Sequence, residues 1–383
     1  MVGSSIGTRP DQDEIEISLF GPGYGESLLL HLGLDYWITI DSCLSSDTDE
    51  PAPIRYLKSI GVDPAQSIRL VLATHWHDDH IRGISDIFAT AKNAKFLCSA
   101  ALRYPEFSDL VELSKTLMTD ESGASEFSRV MNVLEERGGR TRRASIGPEF
   151  VLAGQVLDRR DTQLDYEIHA LSPSNASLTL AFHEISNRVK EITTRVPGPR
   201  GTKKRIVAQP PNDVAVVLWL KIGDTAVLLG SDLEETANPF TGWTVIVDSS
   251  VRPSGKAEVF KVPHHGSSTS HQPRVWEEMV GVHPLVVLTP FLRGQVLKPS
   301  FSEVTQILSY TPNAYITASA KPKRTKWADR AVEKTIKETI INIHEVPRVM
   351  GQIRLRKKHP SVRNEEWMVE LIGSARRLEL AHT

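Results

Sequence analysis

Near the start of the chain, apolar positions come in short alternating or continuous runs at 15–20, 28–31 and 36–40. Each run is closed by glycine or aspartate, which predicts a β-meander. A run at 68–74 (IRLVLAT) predicts a buried strand that ends at a cluster of histidines and aspartates, so that cluster belongs on a loop at a strand end. From 100 to about 139 the apolar spacing changes to three or four, through Leu110, Leu113, Leu117, Phe127, Val130, Met131 and Leu134. It stops at Gly138-Gly139, the pattern of a helical pair. Strands return at 166–171, at 213–221 and 225–230 as a hairpin around Gly223-Asp224, and at 258–262. The rest alternates: strand 285–289, helix 301–310, strand 314–317, helix 327–339, strand 352–356. Strands and helices mixed in this way predict an α/β sandwich as one elaborated domain over 15–358. The helical insertion at 100–139 lies within it; residues 1–14 and 359–383 are read as tails, the second with a short helix.

Between 187 and 207 the periodicity stops. Arg188, Lys190, Arg195, Arg200, Lys203, Lys204 and Arg205 are interleaved there with prolines and glycines, which predicts a basic loop. A second basic stretch, KPKRTK at 321–326, contains Lys323 and Arg324. Both are local, because 45 Lys plus Arg stand against 47 Asp plus Glu and leave a net charge of −2. With 40% hydrophobic and 24% charged residues among 383, disordered, collagen-like and coiled-coil chains are excluded. Two cysteines, Cys43 and Cys98, fit a reducing compartment better than a disulfide framework. No segment approaches the roughly 18 apolar residues of a membrane span, nor does the N-terminus look like a signal peptide. A cytoplasmic protein with no membrane attachment is expected.

The chemistry concentrates in two short clusters: His75, His77, Asp78, Asp79 and His80 in THWHDDH, and His264-His265 in PHHGS. On a loop after a strand, His75 and His77 can face one metal while Asp79 and His80 turn to a second position. A lone histidine would more often be a solvated loop residue. Three imidazoles and two carboxylates crowded together would leave buried polar groups unpaired without a cation. Imidazole with carboxylate suits zinc, manganese or iron, and the absence of clustered cysteine argues against structural zinc or an iron–sulfur cluster.

His75-Trp76-His77-Asp78-Asp79-His80 resembles the HxHxDH signature of the metallo-β-lactamase-like hydrolases, and other elements resemble that family in order. These are the glycine turn Gly21-Pro22-Gly23-Tyr24-Gly25-Glu26-Ser27, the strand ending at Asp41, and Leu228-Leu229-Gly230-Ser231-Asp232-Leu233-Glu234. Lys261-Val262-Pro263-His264-His265-Gly266-Ser267 is similar to the KVPHHGS element of the competence protein ComEC and its soluble relatives. The likeness continues through Asn212-Asp213, Lys298-Pro299-Ser300, where those relatives often have His-Pro, and Gly351-Gln352-Ile353. The resemblance implies an αββα sandwich holding two divalent metal ions, zinc or manganese. His75 and His77 would take the first ion; Asp79, His80 and one of His264 or His265, preferably His265, the second; Asp232 would stand between them. Asp79 and Asp232 would carry the catalytic role. The family's middle histidine has no counterpart, so the first ion would be completed by water, or by His169 or His183. Asp41, Asn212, Asp213 and His169 are further candidates for ligating or supporting positions.

No G-x-S-x-G elbow and no phosphate-binding P-loop occurs, which leaves hydrolysis by a metal-bridging hydroxide. The ComEC likeness and the basic stretches favour a phosphodiesterase or nuclease. Arg200, Lys203, Lys204, Arg205, Lys323 and Arg324 would hold phosphates, and Tyr315 and Trp327 would be available for stacking. A nucleic acid or nucleotide is the expected partner, with protein partners in a multi-component system. The alternatives are a catalytically weak or inactive binding module in a larger complex, and a small ester or lactam hydrolase.

Overall fold

A computed structural model describes residues 7–103, 123–139, 147–162, 164–194, 211–293, 297–319, 349–359 and 366–380. Sixteen strands are found among them. They are β1 (Glu14–Gly21), β2 (Ser27–Leu32), β3 (Trp37–Ile40), β4 (Ile68–Ala73), β5 (Lys95–Ser99), β6 (Glu149–Val151), β7 (Val156–Arg160) and β8 (Tyr166–Ala170). There follow β9 (Leu218–Ile222), β10 (Thr225–Leu229), β11 (Ala257–Lys261), β12 (Val280–Leu288), β13 (Ala314–Ile316), β14 (Gly351–Lys358), β15 (Met368–Ile372) and β16 (Arg376–Arg377). They form two eight-stranded sheets, ordered β15-β14-β1-β2-β3-β4-β5-β6 and β16-β13-β12-β11-β10-β9-β8-β7.

Side-chain alternation sorts the apolar residues into three layers. Ile15, Ile17, Leu19, Leu28 and Leu30 of the first sheet meet Leu218, Leu220, Val227, Leu229 and Val259 of the second. The opposite face of the first sheet, with Leu29, Trp37 and Val71, packs under the helices Ala52–Ser59, Ile84–Thr90 and Gly123–Gly139. That of the second, with Trp219, Leu228 and Phe260, packs under Gly242–Val247 and Phe301–Tyr310. Two mixed sheets between helical layers give the predicted αββα sandwich, with both faces of its central strands dry. No helix among the described residues is long and apolar enough to cross a membrane.

The structure corrects several boundaries. The first half of the expected helical pair lies outside the described residues; the second is the helix Gly123–Gly139. The basic loop does not begin at 187, because the helix Asn175–Thr194 runs through that point, anchored by buried Leu178 and Ile185 two turns apart. Arg200, Lys203, Lys204 and Arg205 lie outside the described residues, as do Lys323, Arg324 and the expected helix at 327–339. The expected strand at 213–221 starts only at Leu218, after a 3-10 turn Pro211–Val214. The C-terminal segment supplies no described helix. It adds β15 beside β14 and β16 beside β13, so residues beyond 358 belong to the sheets.

The order of strands positions the site. β3, β4 and β5 are parallel, and so are β10, β11 and β12. The loops that leave the carboxyl ends of these two parallel groups meet at one edge of the sandwich, where α/β sheets generally bind ligands.

Candidate metal centre

Asp41 follows β3 with a left-handed backbone, φ 58°, a conformation aspartate tolerates better than bulkier residues. Its carboxylate accepts from the Thr74 amide at 2.8 Å and the Thr74 hydroxyl at 2.7 Å, and lies 2.8 Å from His80 Nδ1. This fixes the His80 ring with Nε2 turned inward, as a carboxylate does behind a metal-binding imidazole. The single helical turn Asp78–Ile81, started at His77, swings Asp79 and His80 to the same side. Gly25 (φ 104°) permits close approach of the opening turn: a Cβ there would meet that of Cys43 at 2.9 Å. The next residue, Glu26, donates its amide to the Asp79 carbonyl at 2.8 Å.

Across the edge, Asp232 follows β10 and the twin histidines follow β11. His264 and His265 are both left-handed, φ 48° and 55°, and this turn sends their rings to different places. His265 is buried; its Nδ1 lies 3.0 Å from the Thr289 hydroxyl and its Nε2 3.3 Å from Asp79 Oδ2. His264 is partly exposed, 3.2 Å from Glu234 and 3.4 Å from the Asn212 amide nitrogen.

Asp79, His80, Asp232 and His265 thus converge, each offering one ligand atom within 4.8 Å of the others, and all are buried. His80 Nε2 is 3.2 Å from Asp232 Oδ2 and 3.8 Å from Asp79 Oδ2. A second set at the same spacing is Asp41, His75 and His80, but Asp41 already serves Thr74 and His80 Nδ1. The His75 ring is 5.0 Å from that of His77 and 4.3 Å from that of His80, and His77 lines the cavity in front of the cluster. Three buried atoms here have no hydrogen-bond partner: His75 Nε2, His80 Nε2 and Asp232 Oδ1. Unpaired, buried imidazole nitrogens beside the convergent carboxylates of Asp79 and Asp232 are donors that suit a divalent cation, so the residues fit such an ion.

The electrostatics agree. Burial would raise the carboxyls of Asp79 and Asp232, but the neighbouring His80 and His265 hold both below the usual range. Burial would lower His80 and His265, and the same carboxylates raise them instead. Two buried carboxylates favour positive charge beside them, which is the preference a divalent cation meets. His75 and His77 are lowered by burial, which keeps them in the neutral form that ligates.

Behind the cluster lies a network that the sequence does not reveal. The Lys261 ammonium, fully buried, sits 2.5 Å from Glu26 Oε1, 2.8 Å from the Ser231 carbonyl and 3.8 Å from Asp232 Oδ1. Thr289 donates to Glu26 Oε2 at 2.5 Å and touches His265. Glu26 and Lys261 fall within recognisable motifs, but nothing local marks Thr289. Other candidates lie apart from the centre. His169, on β8, pairs with Glu167 at 2.9 Å and belongs to neither ligand set. His183 packs beside Phe182 on the long helix. Asn212 donates to Glu234 at 2.8 Å, while burial and Glu234 raise the carboxyl of Asp213.

The family model of the metallo-beta-lactamase superfamily matches residues 20–275, more than half of the chain. No curated protein matches. A subclass B3 metallo-beta-lactamase from a soil metagenome library is 14% identical over 71% of this chain and 87% of that one, with a TM-score of 0.30. The metallo-beta-lactamase fold protein YhfI of Bacillus subtilis is 14% identical over 65% and 70%, with a TM-score of 0.29.

Proposed function

The chain belongs to the metallo-beta-lactamase superfamily, and from its site we propose a metal-dependent phosphodiesterase. The carrying observation is the buried set Asp79, His80, Asp232 and His265, drawn from both sheets and left with unpaired ligand atoms. In this reading Asp79, His80 and His265 hold one divalent ion, zinc or manganese, and His75 and His77 hold another, with Asp232 between. When bound, such ions acidify a water and draw charge from phosphoryl oxygens. The protein's own part is orientation. Asp41 fixes His80, Thr289 fixes His265, and the Lys261–Glu26 pair holds Asp232 from behind. Asp79, whose carboxylate lies 3.3 Å from His265 Nε2 and lines the cavity, is assigned the role of accepting a proton from the attacking water.

Phosphodiesters are favoured over lactams or small esters because Arg293 and Lys298 line the open cavity of about 400 Å³ in front of the cluster. The complete second-ion set argues against a decayed binding module. The test is hydrolysis by zinc- or manganese-loaded protein of bis(p-nitrophenyl) phosphate, single- and double-stranded DNA, RNA and a chromogenic lactam. Phosphodiester turnover abolished by Asp79→Ala is expected, whereas turnover of the lactam alone would reject the proposal.

A further inference from the structure

The cavity has a second wall that the ligand set leaves unused. Tyr24, from the opening turn, and Phe291, after β12, are both half-buried and touch with ring centroids 5.7 Å apart and planes tilted by 60°. Phe291 also lies 5.4 Å from the His265 ring, tilted by 37°, so its face begins where the ligand cluster ends. The two loops are locked: Leu292 donates to the Gly23 carbonyl at 2.8 Å, and Phe291 and Lys298 exchange amide hydrogen bonds of 3.0 Å. Arg293, exposed at the rim, sits with its guanidinium 4.6 Å over the Tyr24 ring, donates a hydrogen bond to the Tyr24 hydroxyl, and makes no ion pair with a carboxylate among the described residues. Lys298 differs, since Glu303 holds its ammonium at 2.6 Å.

We propose that this wall is a subsite for one nucleotide unit: the base stacks on Phe291 and Tyr24, and Arg293 takes a phosphate next to the one being hydrolysed. The inference rests on the phosphodiesterase reading and narrows it. A metal cluster can hold any scissile phosphate, but aromatic faces beside it reward a planar group, and an exposed guanidinium with no carboxylate partner among the described residues rewards a second anion. The volume of about 400 Å³ lies near the lower end of the roughly 300–1,000 Å³ typical of ligand pockets. It suits a strand end or a small nucleotide rather than a stacked duplex.

Three reporters with one leaving group separate the contributions: methyl p-nitrophenyl phosphate, thymidine 5′-(p-nitrophenyl phosphate), and the latter bearing a 3′-phosphate. In each, water adds to phosphorus, p-nitrophenolate leaves, and a phosphate monoester remains. The metal-loaded wild type should prefer the thymidine ester to the methyl ester by about tenfold or more in kcat/KM, the usual weight of stacking one base. The 3′-phosphate should add a further gain. Phe291→Ala should bring the first ratio close to one, and Arg293→Ala should remove the second gain, with metal content measured alongside. Wild-type turnover of all three esters at equal kcat/KM would overturn the subsite and leave the phosphodiesterase reading standing. Failure to turn over any of them would overturn both. Ratios unchanged in both variants, at unchanged metal content, would also overturn the subsite.

Discussion

The adjacent histidines His264 and His265 differ in fate because three left-handed residues in a row, ending at Gly266, twist the chain between them. His265 enters a dry pocket against Thr289, while His264 stays at the rim with Glu234 and Asn212. Gly266 is held to its identity by crowding as well as by φ, since a Cβ would meet Ile307 at 3.1 Å and Leu288 at 3.2 Å. Removing His265 should therefore remove a ligand, and removing His264 only a supporting contact. His265→Ala is expected to lose one equivalent of metal and at least about a hundredfold in phosphodiester turnover. His264→Ala is expected to keep the metal and lose about tenfold or less, within the range seen when outer partners of a metal site are removed. Elemental analysis with kinetics on the same preparations checks this; the reverse ranking would reassign the ligand. The sequence preference for His265 rests on related nucleases, which place a single histidine just before the small residues opening the next helix, because two neighbouring imidazoles carry no local sign of which turns inward. The contiguous motif from His75 to His80 was legible from spacing alone. The contact from Thr289 to Glu26, across 263 positions, had no pattern to read.

Among the elements, the helix Phe301–Tyr310 does more than cover the second sheet. Ser300 and Glu303 close a capping box at its start. The Glu303 carboxylate also accepts from the Ser268 amide at 2.7 Å, just past the His265 turn, and from Lys298 at 2.6 Å. Burial would raise Glu303, yet the Lys298 ammonium and the Ser300 and Ser268 amides hold it at about 2, below the ordinary 4.5. A carboxyl depressed on folding stabilises the native state above its unfolded value, and that stabilisation fades as pH falls from about 4.5 to about 2. Glu303→Gln should cost about 1–2 kcal/mol at neutral pH and flatten the acid limb of stability in that window. Urea titrations from pH 5 to pH 2 read both effects, and parallel curves for variant and wild type would contradict the assignment. This helix and the central strands were visible in the sequence because their burial is regular. The helix Asn175–Thr194 was not, because Arg188 and Lys190 near its end read in sequence as the start of the basic loop. The C-terminal strands escaped notice because β15 is an edge strand, only partly buried, so its alternation is faint.

For the whole molecule, the candidate ligand set spans the sandwich. Asp79 and His80 hang from the first sheet, through Asp41 and Thr74, while Asp232 and His265 hang from the second. That junction is a buried cluster of imidazoles and carboxylates, 0% to 8% exposed, where the cost of desolvating charge offsets much of the attraction between opposite charges. An ion held there would bind only when both sheets are in place, so its binding energy would add directly to the stability of the whole sandwich. At an ion concentration a hundred times Kd the gain is about 2.7 kcal/mol. For a chain of this length that corresponds to about 3 °C in Tm, by the usual unfolding entropy per residue. Calorimetry of the full chain should show one transition rising by that amount with zinc or manganese and returning with chelator. Asp232→Asn, which keeps the shape but weakens the shared ligand, should lose most of the metal-dependent shift. If metal sharpened only a minor early transition and left the main one in place, the ion would be stabilising a surface loop rather than joining the two sheets.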